Sequence, residues 1–231
     1  MRTIGLIGGT SWHSTIEYYR GINQAINDHF GNNTNPPLIL HSLDQHEIHR
    51  LQAADRWDAI AGLLANAAAK LEASGAEALV FCANTPHKVY PEVASSVRIP
   101  ILHIADAVGS AVRRLNLSEV GLIGTRYTME DGFIQRWLLE RYGISVITPS
   151  SDEARDRLQR IIQLELALGD FGQDTKRYVI EQISILRTRG AQGIVLGCTE
   201  FPLLLAQHEL DLPSFDTLQL HARMAVDFIL S

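Results

Sequence analysis

The chain is expected to fold as an α/β protein of two pseudo-symmetric domains, each a parallel sheet flanked by helices. Three observations predict this. Short apolar runs bounded by Gly, Pro or Asn alternate with longer segments of helical period, the pattern of buried parallel strands wrapped by helices. Several helical segments stop at a glycine just past the last periodic residue. The order of elements in the first half also recurs in the second.

Strands are expected near Thr3 to Ile7, Leu38 to Leu43, Ala78 to Cys82, Ile101 to Ile104, Val120 to Ile123, Ser145 to Ile147, Gly193 to Gly197 and Pro213 to Phe215. Most are short runs rich in Val, Ile and Leu, which suits strands buried on both faces. The clearest helices are expected over Ser14 to Phe30, Ala53 to Ser74, Met129 to Tyr142, Asp152 to Leu168, Gln173 to Arg189 and about Thr217 to Leu230. Gly31, Gly75, Gly143, Gly169 and Gly190 sit where a left-handed residue would end the helix.

The repeat is direct. Gly5-Leu6-Ile7-Gly8 returns as Gly121-Leu122-Ile123-Gly124, Ala78 to Ala83 returns as Gly193 to Cys198, and Ile99-Pro100-Ile101 returns as Leu212-Pro213-Ser214, at nearly constant separation. The expected division is residues 1–105 plus 217–231 in the first lobe and 106–216 in the second. Parallel sheets bind ligands beyond the carboxyl ends of their strands, so the active site is expected in a cleft between the lobes.

Composition narrows the function. The formal charge is -6 with both signs interspersed, and there is no basic stripe to neutralise a phosphate backbone, so nucleic acid is not an expected partner. Met1-Arg2-Thr3 runs straight into a strand, which resembles neither a signal peptide nor a membrane span. A cytoplasmic protein without membrane contact is the expectation, and Cys82 and Cys198 are read as free thiols. The sequons Asn32-Asn33-Thr34 and Asn116-Leu117-Ser118 are then chance matches. Gly5-Leu6-Ile7-Gly8-Gly9 lacks the third-glycine spacing and the acidic partner of a dinucleotide fingerprint. His46 and His49 share a helical face by spacing, but no third ligand is placed beside them, so no metal site is read there.

Four strand-end loops carry small polar residues: Gly8-Gly9-Thr10-Ser11, Ala83-Asn84-Thr85-Pro86, Gly124-Thr125-Arg126-Tyr127 and Gly197-Cys198-Thr199-Glu200. Any one alone reads as a turn and helix cap; four in register read as an anion-binding and catalytic rim. Cys198 is the candidate catalytic residue, because a thiol beside backbone N–H groups at a helix start is expected to be stabilised as the reactive thiolate. Cys82 reads as a small core residue. In the repeat Cys82 aligns with Gly197 and Ala83 with Cys198, and a one-residue offset along a strand reverses the face. His87 and His103 read as capping or core-edge histidines that could orient a neighbour in the site.

These residues resemble the aspartate/glutamate racemase superfamily, and its broad-specificity amino-acid racemase branch in particular. The resemblance rests on Gly8-Gly9-Thr10-Ser11-Trp12, Ser14-Thr15, Tyr18-Tyr19, Asn84-Thr85-Pro86-His87-Lys88, Leu102 to Asp106, Gly124 to Met129 and Gly197-Cys198-Thr199-Glu200, and it spans essentially the whole chain. It implies interconversion of amino-acid enantiomers without pyridoxal phosphate, another cofactor or a metal, in a homodimer whose partner molecule is an amino acid. In that family two cysteines flank the α-carbon; the second matches Cys198, and the first falls on Ala83, which cannot carry a proton. An ordered water, Thr10, Thr85 or a twisted Cys82 are the substitutes to weigh there.

The same resemblance implies that Asn84 and Thr85 hold the α-carboxylate and that Thr199 and Glu200 lie near the amino group or the thiol. Gln52, with Arg50 and Arg56, falls where the substrate side chain is expected to be read. Aspartate-specific relatives carry a lysine before the Gly169 turn, where this chain has Leu166-Ala167-Leu168, and this weighs against an acidic side chain. Two other functions fit the residues: a single-cysteine decarboxylase or isomerase of small carboxylic acids, and an amino-acid-binding protein without catalysis.

Overall fold

The computed structural model describes residues 1–205 and 207–231. It contains two four-stranded sheets, every pairing parallel, each wrapped by helices. The chain divides into two compact units, residues 1–104 with 221–231 and residues 105–220. It re-enters the first unit inside the last helix, at His221, and not at Thr217 where that helix begins.

In the first unit the sheet order is β2 (Leu38–Ser42), β1 (Ile4–Gly8), β3 (Ala78–Phe81), β4 (Ile101–Leu102). The second repeats it with β6 (Ser145–Ile147), β5 (Glu119–Gly124), β7 (Ile194–Gly197), β8 (Ser214–Asp216). All eight expected strands are present. Ile7 stands beside Phe81 and Ile123 beside Leu196, so Ala83 and Cys198, two residues past each pair, hold matching places. The repeated glycine that opens each motif has a packing role. A Cβ at Gly5 would meet Leu79 at 2.6 Å and Leu71 at 3.1 Å, and one at Gly121 would meet Ile194 at 2.9 Å and Leu186 at 3.1 Å. Its absence lets a helix close on the sheet: α3 (Trp57–Ala73) on β1 and α9 (Gln173–Thr188) on β5.

The remaining helices are α1 (Trp12–Phe30), α2 (Gln45–Ala53), α4 (Tyr90–Ala94), α5 (Ile104–Arg114), α6 (Arg126–Glu130), α7 (Phe133–Tyr142), α8 (Asp152–Leu164), α10 (Phe201–Leu204) and α11 (Thr217–Leu230). All five glycines expected to end helices have positive φ. Three helices differ from expectation. The helix placed from Ala53 begins at Trp57, because Ala53 closes α2 and Asp55, at φ 53°, turns the chain between them; a short polar side chain tolerates that conformation. The segment placed from Met129 to Tyr142 is broken by left-handed Gly132. The segment to Leu168 ends as α-helix at Leu164 and finishes in a 3₁₀ turn, Leu166–Leu168. Among the described residues no helix is long and apolar enough to cross a membrane.

Candidate functional site

In the first unit the ends of β1 and β3 lie side by side, and the Cys82 N–H donates to Ile7 O at 3.0 Å. The loop after β1 is fixed by its own residues. Gly9 has φ 79°, and a Cβ there would fall 2.0 Å from the Leu43 carbonyl oxygen, so only glycine fits. Its N–H donates to Thr15 Oγ1 at 3.0 Å, and that hydroxyl donates to Ser11 O at 2.8 Å. Ser11 caps α1 through Ser14 N–H. Between these anchors Thr10 is 9% exposed, and its hydroxyl has no hydrogen-bond partner among the described residues. An unsatisfied buried hydroxyl costs about 1–3 kcal/mol, a cost that a bound polar ligand would remove.

Past β3, Ala83 and Thr85 are half-buried and Asn84 is buried. Cys82 is fully buried, and burial pushes its thiol far up. That removes the twisted-strand substitute for the thiol missing at Ala83. Gln52 is half-buried on the last turn of α2. Arg50 is exposed, and both arms of Arg56 are engaged by Asp58 at 2.8 Å. His46 and His49 lie on α2, and His49 is shifted down by burial and by His46. Among the described residues no group of three or more His, Cys, Asp or Glu side chains could hold a metal ion.

In the second unit Gly124 pairs with Gly197, so the ends of β5 and β7 are adjacent. Thr125 caps α6 through Thr128 N–H. Arg126 is consumed by an ion-pair network, with Glu130 at 2.8 Å and with Asp156. Half-buried Cys198 packs partly against the apolar cluster of this unit. Its Sγ donates to Glu200 Oε2 at 2.8 Å, and Thr199 Oγ1 donates to the same oxygen at 2.9 Å.

The electrostatics of Cys198 differ from the sequence expectation. Burial pushes its thiol well up, the Glu200 carboxylate adds to that, and the backbone N–H groups of Glu200 and Thr199 pull only weakly the other way. The helix that follows is a single turn, Phe201–Leu204, too short to develop the dipole that was to favour a thiolate. Cys198 therefore rests as a thiol that donates to the Glu200 carboxylate.

Leu168, in the 3₁₀ turn before Gly169, is 77% exposed and apolar. His87 and His103, read from the sequence as capping or core-edge histidines, are buried near the Asn84 loop, and sequence reasoning missed the third member of their set, His221, with the Tyr18 hydroxyl bonded to it. Tyr18 and His221 are 203 positions apart, beyond the reach of any spacing rule.

The profile of the Asp/Glu/Hydantoin racemase family matches residues 7–225. A crystal structure from Yersinia pestis, assigned provisionally as an Asp/Glu racemase, superposes with TM-score 0.94 at 44% identity over 100% of both chains. An aspartate racemase homologue from Pyrococcus horikoshii superposes with TM-score 0.88 at 35% identity, again over 100% of both chains. A glutamate racemase of Histophilus somni is 24% identical over 136 residues; the match covers 58% of this chain and 49%, about half, of that relative.

Proposed function

The chain belongs to the Asp/Glu/Hydantoin racemase family, and on that premise we propose that it is a cofactor-independent amino-acid racemase that moves the α-proton with the Cys198–Glu200 pair. The observation that carries this reading is the 2.8 Å hydrogen bond from the thiol to the carboxylate. A Cα–H is a weak acid, and a thiol must first lose its proton to attack it. Glu200 takes that proton; the Cys198 thiolate then removes the α-proton and leaves a planar carbanion. Return of a proton to the same face restores the starting enantiomer, and delivery to the other face inverts it.

Asn84, Thr85 and the unsatisfied Thr10 hydroxyl hold the α-carboxylate, Thr199 faces the amino group, and Gln52 reads the side chain. Ala83 supplies no acid, so the proton for its face comes from water held by the Thr10 or Thr85 hydroxyl. The substrate is aspartate, glutamate or a wider range of amino acids, with exposed Leu168 favouring the wider range.

The test is α-hydrogen loss in deuterated water, followed by NMR over a panel of L- and D-amino acids. Exchange that disappears in Cys198→Ala is expected. No exchange on any amino acid, or exchange that survives that substitution, overturns the reading. A resting, protonated thiol with no counterpart at Ala83 also suits a decarboxylase, which needs one proton donor only. Release of carbon dioxide from a substituted malonate without α-hydrogen exchange would establish that alternative.

A further inference from the structure

The loop that carries Ala83, Asn84 and Thr85 runs into a 3₁₀ turn, Thr85–Val89, and the buried side chain of His87 bonds to it there. His87 is 2% exposed. Its ring Nε2 lies 3.1 Å from the Ile104 backbone nitrogen, and its Nδ1 lies 3.1 Å from the Asn84 carbonyl oxygen. A backbone N–H can only donate, so Nε2 carries the lone pair. The proton of the neutral ring is then on Nδ1 and is donated to Asn84 O. The backbone N–H of His87 donates to the same oxygen at 3.1 Å.

His221 grips the other side of the same corner. A carbonyl can only accept, so its Nε2–H donates to Leu102 O at 2.9 Å, and its Nδ1 accepts from the Tyr18 hydroxyl at 2.8 Å. Leu102 and Ile104 are thus each held by a histidine of opposite tautomer. The rings of His87, His103 and Tyr90 pack edge to face, at 4.6 Å and 4.7 Å between centroids. These contacts tie down the corner after β4, and His87 links it to the loop after β3. Burial and the neighbouring histidines hold His87 neutral, so the donor and the acceptor persist together.

We infer that His87 is a positioning residue for the reaction proposed above: its Nδ1–H fixes the Asn84 carbonyl, and with it the Ala83–Thr85 loop, relative to the β4 corner. The inference rests on that reading for its catalytic consequence and on the two hydrogen bonds for its structural one.

Two variants separate the two ends of the ring. His87→Asn keeps an amide donor near the Nδ1 position, and His87→Gln keeps an acceptor near the Nε2 position. His87→Asn is expected to retain α-hydrogen exchange within about 5-fold of wild type, while His87→Gln loses about 10- to 100-fold in kcat/KM, as a misplaced substrate anchor does. Equal losses in the two variants would reduce His87 to a stabilising core residue and overturn the inference. A second arm needs no substrate: hydrogen exchange of the residue-87 amide, which donates to Asn84 O, in the ligand-free protein. About 10-fold faster exchange in His87→Gln than in His87→Asn is expected. If wild type exchanges no amino acid, the racemase reading falls and the amide arm alone decides; unchanged protection in His87→Gln then overturns the inference.

Discussion

The Cys198 thiol donates to Glu200 Oε2 across 2.8 Å, two residues along one turn. Because Glu200 raises the thiol by charge and by hydrogen bond, Glu200→Gln removes the charge, keeps only a weaker neutral acceptor, and lets the Cys198 pKa fall. The variant is expected to alkylate faster with iodoacetamide at a fixed pH near 7. Slower alkylation would show that Glu200 does not control the thiol.

The two cysteines should separate cleanly. Cys198→Ala is expected to cost at least about 1000-fold in exchange, at the level of a lost acid/base group. Cys82 is fully buried, so Cys82→Ala should leave exchange within about 3-fold and lower stability by about 1 kcal/mol. Urea denaturation and the deuterium assay on the same preparations test both.

A pH dependence follows from the buried histidines. Burial lowers His221 from 6.5 to about 4, so between these values the unfolded chain binds a proton that the folded chain refuses. Stability from this group is full above about pH 6.5 and is lost as pH falls toward 4, by about 2–3 kcal/mol at pH 4.5. His87 is shifted the same way and deepens the loss. Denaturation midpoints should fall from pH 7.5 to 4.5, with a shallower slope in His221→Asn; a flat profile would contradict the neutral, buried ring.

How much of this was legible depended on whether the cause was local. Strands showed as apolar runs, and the helix ends at Gly31, Gly75, Gly143, Gly169 and Gly190 showed because glycine is the residue for which positive φ is cheap. The register that matches Ala83 with Cys198 was legible because the repeat is a backbone property. Asp55 escaped notice since non-glycine residues seldom take positive φ, and nothing in its neighbours announces the turn. The state of Cys198 was misjudged for a tertiary reason: motif reasoning weighed the helix start, whereas burial and the folding back of Glu200 decide it. The tautomers of His87 and His221 are set by Ile104 N–H and Leu102 O, which no spacing along the chain connects to them.

Ala83 is where stereochemistry can be tested by adding a group. It is half-buried, and it occupies in the first unit the place that Cys198 occupies in the second. A cysteine there adds one sulfur to a site that is not fully enclosed, so Ala83→Cys should fold, with a stability change within about 1 kcal/mol. If water serves the Ala83 face in the wild type, one enantiomer should exchange its α-hydrogen much faster than the other, because a thiolate is the stronger base and is fixed in place. The added thiol should then raise exchange of the slow enantiomer at least about 10-fold and leave the fast one little changed. Equal acceleration of both, or of neither, would show that Ala83 does not face the α-carbon and that the second proton travels by another route.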